Sequence, residues 1–248
     1  MTIVTDQLLG HRSIRKFADR AVDDDTLAAL VQAAQCAPTS HHVQAYTIIQ
    51  VKDRANRAAI AQLAGPQVWV DQAPVFLVFC ADLTRLIRAA KALGEPSDTG
   101  WTEHFIVATV DTALVAQNLM TAAESMGLGG VFIGGIRNDP QQVATLLNIP
   151  DQAYPVFGMC LGWPGQDPGP KPRLPLSLVL RQDRFDDPMT DADEAALEAY
   201  DQTMVAYYQA RDTNLKTTAW TRLMAKFVAQ QTRPHMKAFL EQKGFSLK

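Results

Sequence analysis

Apolar and polar positions along this chain follow two rhythms. After Asp23, Asp24, Asp25 and Thr26, a cluster of helix N-cap types, Leu27, Leu30, Val31 and Ala34 recur at helical spacing. Proline restricts the residue before it, so this helix is expected to stop at Ala37-Pro38. Residues 46–51 are rich in β-branched types and predict a strand. Residues 74–80 form a continuous apolar run and predict a buried strand. The apolar stretch at 105–123 predicts a helix from about Thr102 to Met126, buried on nearly all sides, with Gly127 placed for a left-handed C-cap.

Val131-Phe132-Ile133 reads as a short strand closed by Gly134-Gly135. Asp139-Pro140-Gln141-Gln142 then opens a helix, with Asp as cap, Pro at N1 and Gln at N3. Residues 154–162 predict a further strand, followed by the proline- and glycine-rich loop GWPGQDPGPKPRLP. From about Asp191 the chain is mostly helical and more highly charged, with Ala195, Leu197, Tyr200, Met204 and the pair Tyr207-Tyr208. The strands are few and the helices heavy, which points to an α+β layered fold rather than a doubly wound sheet.

Composition narrows the class of protein. At 248 residues the chain is long for one domain but within range for a single α/β or α+β unit. Apolar content of 47% and charged content of 20% fit an ordinary soluble protein. A net charge of -3 and a pI near 5.9 argue against a nucleic-acid partner, since such domains carry a basic excess. The start, MTIVTDQLLG, has neither the basic n-region nor the apolar h-region of a secretory signal. Asp111, Gln117 and Asn118 interrupt the most apolar stretch, so no membrane span is expected. Cys36, Cys80 and Cys160 are far apart, odd in number and set among apolar neighbours, which predicts buried reduced thiols and a cytoplasmic protein.

Against that acidic background, HRSIRKF packs His11, Arg12, Ser13, Arg15 and Lys16 into one place. These groups can donate to a phosphate; the alternative is a set of cations helped by the dipole of the preceding helix C-terminus. In Lys171-Pro172-Arg173-Leu174-Pro175 the prolines hold the backbone extended. Two cations two residues apart can then face one way, either to grip one phosphate or as solvated charges on a stiff loop. Thr39, Ser40, His41, His42 and Gln44 form a polar run before a strand, suited to reading the edge of a flat heterocycle. Adjacent histidines rarely chelate one ion and no third ligand has suitable spacing, so no metal is expected. The run GLGGVFIGG fails G-x-G-x-x-G at Phe132 and stands in the order helix, glycines, strand, so it is not a Rossmann fingerprint.

Taken in order and spacing, HRSIRKF, APTSHHVQ, GLGGVFIGG and KPRLP resemble the FMN-dependent nitroreductase superfamily, most of all its oxygen-insensitive NADPH nitroreductase and NADPH-flavin reductase branch. The resemblance runs from about Gly10 to Pro175 and continues through the helical tail. It implies a three-layer α+β fold, a mostly antiparallel sheet between helices. Residues 1–190 would form the FMN-binding core, and 191–248 a helical extension that wraps the partner of a homodimer. Implied FMN contacts are His11, Arg12 and Ser13 on the phosphate and ribityl chain, and Arg15 at the N1/O2 edge. Thr39, Ser40 and His41 would line the ring and Gln67 its pyrimidine edge. Phe132, Ile133, Gly134 and Gly135 would bring main chain towards N5, and Lys171 and Arg173 would close on the phosphate. A guanidinium beside N1 would stabilise charge on the reduced ring.

The resemblance also implies a ping-pong enzyme. NADPH gives hydride to FMN and leaves, and a nitroaromatic, quinone or flavin takes the electrons, with no side chain acting as nucleophile or essential base. Two alternatives are a reductase that hands free reduced FMN to a partner and an FMN-binding protein without turnover. Arg211 and Lys216 fall in the loop that would hold the 2′-phosphate of NADPH, although Asp212 adds a negative charge there. The superfamily often has Ser-Ser, then Asn, then Gln-Pro-Trp, where this chain has Thr39-Ser40, His42 and Gln44-Ala45-Tyr46. Those departures bear on which acceptor is preferred.

Overall fold

The apolar run after Pro74 becomes the strand around which the rest is arranged. The computed structural model describes residues 2–185, 189–211 and 215–248. In chain order its elements are α1 (Ile3–Leu9), α2 (Asp24–Gln35), β1 (Tyr46–Gln50), α3 (Arg54–Leu63), α4 (Val68–Gln72), β2 (Val75–Asp82), α5 (Thr84–Leu93), α6 (Thr102–Ser125) and β3 (Gly129–Ile133). There follow α7 (Pro140–Leu146), β4 (Ala153–Gly162), α8 (Leu176–Val179), α9 (Asp191–Gln209), α10 (Trp220–Ala229) and α11 (Met236–Gln242), with short 3-10 turns at Ser40–His42 and Gly134–Asn138. The chain forms two compact units, Met1–Asp167 with Arg233–Lys248, and Pro168–Thr232.

In the first unit four strands pair in the order β1-β2-β4-β3, every pair antiparallel. All eight residues of β2 are buried. Side chains alternate across a strand, and Val75, Leu77 and Phe79 enter one core while Phe76, Val78 and Cys80 enter the other. On the first face Leu27 and Leu30 of α2 and Val115, Leu119 and Met120 of α6 complete the packing. On the second, Ile60 of α3, Val143 of α7 and Phe239 and Leu240 of α11 do so. Helices on both faces explain why β2 is apolar throughout rather than alternating.

Helix ends follow local chemistry. The Asp23 carboxylate accepts the Thr26 N–H and starts α2. Asp139 accepts from the Gln142 backbone at 3.0 Å with Pro140 at N1, and the Gln142 amide donates to the same carboxylate at 2.8 Å. Gly127, φ 83°, turns the chain out of α6 in the left-handed region.

Two expectations need correction. α6 is not buried on nearly all sides. Ala108, Thr112, Val115, Leu119 and Ala123 face the sheet, but Ile106, Val110 and Leu114 are exposed along the opposite side. By length and composition this helix could cross a membrane; its sheet-facing side instead lies in a protein core. Cys36 is exposed, so only Cys80 and Cys160 are buried thiols. Helices α3, α4 and α5 were not anticipated by the apolar pattern. α3 buries alanine beside its single isoleucine, and α5 buries no residue at all.

The second unit contains α8, α9 and α10. Thr190 and Asp193 form a reciprocal capping box at the start of α9. Tyr200, Met204 and Tyr208 of α9 form a small core with Leu174, Tyr207 and Trp220.

Candidate functional site

Residues 11–18 leave α1 and run beside the sheet. The Ile14 N–H donates to Gly130 O at 2.9 Å, Ala18 N–H to Trp163 O at 2.8 Å, and Gly165 N–H to Lys16 O at 2.9 Å. Ile14 is buried over Gly129, where a Cβ would strike its side chain. This lacing fixes where the neighbouring polar side chains sit. His11 Nδ1 lies 2.6 Å from Glu124 Oε1 on α6. Arg12 donates to Gly10 O at 3.0 Å and its Nε lies 2.6 Å from Asp167 Oδ1. Ser13 is half-buried and Arg15 exposed.

Arg15 leads to the next part of the site. Its guanidinium carbon is 5.9 Å from the centre of the Trp69 ring. Trp69 Nε1 donates to Gln67 Oε1 at 3.0 Å, and Gln67 Nε2 donates to Ala64 O at 2.7 Å. Gly135 lies against that amide, for a Cβ there would meet Ala64 O and Gln67 Nε2. The structure thus brings together Arg15, Gln67 and Gly135, which are distant in sequence. Gly134 is more open, its nearest neighbour being the Arg137 guanidinium. Phe132 is partly exposed and meets Phe157 edge-on at 5.2 Å, whereas the Ile133 side chain is in the core. Arg15 also lines a cleft of about 640 Å³ with Lys16, Asp19, Arg20 and Arg54, whose four cations outnumber the single carboxylate.

Arg57 supports this arrangement and was missed in the sequence. Only 5% exposed, it donates from Nε and Nη2 to Val70 O and from Nη2 to Ala73 O, holding the C-terminal end of α4, the short helix that also carries Trp69. Burial lowers its pKa from the usual arginine value. No signal in a lone arginine among alanines would have revealed a partner thirteen residues on.

The loop before β1 is held differently. The Asp111 carboxylate on α6 accepts the Ser40 N–H at 3.1 Å and the Ala45 N–H at 3.1 Å. Thr39 Oγ1 accepts the Gln44 N–H at 3.4 Å. Between these anchors His41, His42 and Gln44 have φ of 46°, 58° and 51°. In the sequence Asp111 stands out only as an interruption of an apolar helix. That interruption was the signal, because a carboxylate on a core-facing position needs partners. Among the described residues no three His, Cys, Asp or Glu side chains come together as a metal site.

In the second unit the remaining cations gather on two tyrosines. Lys171 Nζ and Lys216 Nζ lie 5.4 and 5.3 Å from the Tyr208 ring centre. Arg211 lies 5.5 Å from the Tyr207 ring and donates to its hydroxyl at 3.1 Å. Arg173 donates to Lys171 O at 2.8 Å. Burial opposes ionisation of Tyr208, but the hydrogen bond and charge of Lys171, with Lys216 and Arg211, hold its phenol below the usual range. A cavity of about 550 Å³ opens between Lys171, Arg173, Tyr200 and Trp220. Asp212 lies outside the described residues.

Known proteins share this architecture and sequence. The pattern of the nitroreductase family matches residues 8–163, and that of its C-terminal domain matches residues 171–248. The oxygen-insensitive NADPH nitroreductase of Salmonella typhimurium is 39% identical over 246 residues, 99% of either chain. The NADPH-flavin oxidoreductase of Vibrio harveyi is likewise 39% identical over 246 residues, 99% of either chain. The solved structure of a nitroreductase from B. subtilis superposes with a TM-score of 0.93 at 38% identity, covering 98% of this chain and 99% of that one.

Proposed function

This chain belongs to the nitroreductase family, and from that premise we propose that it is an FMN-dependent NAD(P)H oxidoreductase, preferring NADPH, that reduces nitroaromatics, quinones or flavins. One observation carries the reading: the chain of contacts from Arg15 through Trp69 to Gln67, set against the backbone of Gly135. A guanidinium, a primary amide and a side-chain-free stretch of main chain are the donor set that the polar edge of an isoalloxazine requires. When bound there, FMN would supply the redox chemistry, taking hydride from the nicotinamide and passing two electrons to the acceptor.

The chain's own residues bind and orient. Arg15 supplies positive charge at the edge where reduction adds negative charge. The Glu124 carboxylate accepts from His11 Nδ1 and so fixes the ring beside the proposed phosphate contacts. Arg12 and Ser13 are proposed phosphate and ribityl contacts. Thr39, Ser40 and His41 are proposed to line the ring. Gly134 leaves room for the ring to reach main chain, which Phe132 and Ile133 continue. Arg211 and Lys216 are proposed to take the 2′-phosphate of NADPH, in support of which both lie beside the tyrosine pair. The exposed stripe of Ile106, Val110 and Leu114 supports a homodimer.

The test is direct. Purified protein should be yellow, hold about one FMN per chain, and bleach on anaerobic addition of NADPH. Colourless protein that cannot be reconstituted with FMN would overturn the assignment. The name of the Vibrio harveyi relative favours a second reading, a flavin reductase that releases reduced FMN. Turnover on free FMN compared with turnover on a nitrofuran or quinone separates the two.

A further inference from the structure

We propose that Asp111 is a positioning residue for the loop Thr39–Gln44, its buried carboxylate fixing the loop backbone in the form that cofactor binding needs. The inference rests on the function proposed above and adds a residue that acts through another segment.

Asp111 is 1% exposed, on the side of α6 that packs against the sheet. Burying a carboxylate is costly unless its oxygens are satisfied. Among the described residues no lysine, arginine or histidine forms an ion pair with it. Its two oxygens are divided instead between two backbone donors, Oδ1 to Ser40 N–H and Oδ2 to Ala45 N–H. One side chain therefore holds both ends of a short loop, through charge-assisted bonds stronger than neutral ones.

What lies between those ends needs holding. His41, His42 and Gln44 all adopt positive φ, a region that residues with a Cβ enter rarely. Such a run persists only where the surroundings over-determine it. Arg85 adds a grip on the exit, donating to Gln44 O at 3.1 Å and to Tyr46 O. Arg85 is more than half exposed, whereas Asp111 is sealed from water. Two of the three proposed ring-lining residues of this loop, Ser40 and His41, lie between the two anchored amides.

Asp111→Asn keeps the volume but turns an N–H towards one of the two donors, so it releases one end of the loop. Thr112→Val is the control. Thr112 is the next residue, fully buried, and its hydroxyl donates to Ala108 O and Cys80 O, away from the loop. Three quantities are measured: amide exchange of cofactor-free protein, thermal midpoint, and Kd for FMN titrated into cofactor-free protein. In the wild type, the Ser40 and Ala45 amides should exchange as slowly as those of the α6 core. Rapid exchange there would overturn the proposal without any variant. Asp111→Asn should speed exchange at the amide facing the new N–H group, either Ser40 or Ala45, and raise the FMN Kd about tenfold or more. Thr112→Val should lower the midpoint while leaving Kd within about twofold. Equal Kd effects from both variants, or an unchanged Kd in Asp111→Asn while the wild type binds FMN, would reduce Asp111 to a core residue. A wild type that binds no FMN would instead overturn the proposed function, and amide exchange would still judge the clamp.

Discussion

Asp82 ends β2 as a residue 7% exposed, its carboxylate accepting from the Thr47 hydroxyl and from both the hydroxyl and the N–H of Thr84. Burial alone would raise its pKa. The three hydrogen bonds and the nearby Arg85 outweigh that and hold it below the usual carboxylate range. An unfolded aspartate titrates near about 3.9, so the folded protein binds fewer protons at this site than the unfolded chain does. The stability Asp82 contributes is therefore present above that value and is lost as pH falls through the lower folded one. Asp82→Asn should lower unfolding free energy by about 1–3 kcal/mol at neutral pH. In denaturant titrations the gap to wild type should close below about pH 4, and a pH-independent gap would contradict the linkage. Arg15 poses the opposite case, exposed and, among the described residues, packed only on the Trp69 ring. Arg15→Ala should change stability by no more than about 0.5 kcal/mol while lowering turnover of the FMN-loaded protein. Unchanged kinetics with FMN bound would remove it from the flavin edge.

Between β3 and α7, two adjacent glycines face different surroundings. A Cβ on Gly135 would collide with Ala64 O and the Gln67 amide, so Gly135→Ala should cost about 1–3 kcal/mol even without cofactor. A Cβ on Gly134 meets no backbone and comes within 3.3 Å of the Arg137 guanidinium, which is held on Val156 O and need shift by only a few tenths of an ångström. Gly134→Ala should therefore leave the cofactor-free melting point near wild type and weaken FMN binding. Comparing melting curves with FMN titrations checks both. The glycine pair was legible because it punctuates a short apolar strand. So were the β2 run, the end of α6 at Gly127 and the Asp139-Pro140 start of α7, all of which declare themselves within a few residues. Asp111 and Arg57 did not, because their partners lie 66 to 71 and 13 to 16 residues away and are main-chain atoms without sequence identity. The exposed side of α6 escaped notice for a related reason. Ile106, Val110 and Leu114 look like core residues in composition, and only the packing shows that the described residues leave them largely exposed.

For the whole molecule, that exposed stripe and the exposed Ile3, Val4 and Leu8 of α1, which packs on α6, offer apolar surface that the proposed homodimer would bury. Val110→Asp should convert a dimer of about twice 27.2 kDa into a monomer in gel filtration. Elution of both proteins as monomers would move the interface elsewhere or remove it. Because Val75, Leu77 and Phe79 point into one core and Phe76, Val78 and Cys80 into the other, β2 is common property of the two helical layers. Neither layer can peel away and leave the other a finished surface to rest on. Melting of this unit should accordingly be a single event, with the amides of β2 and β4 released together and last.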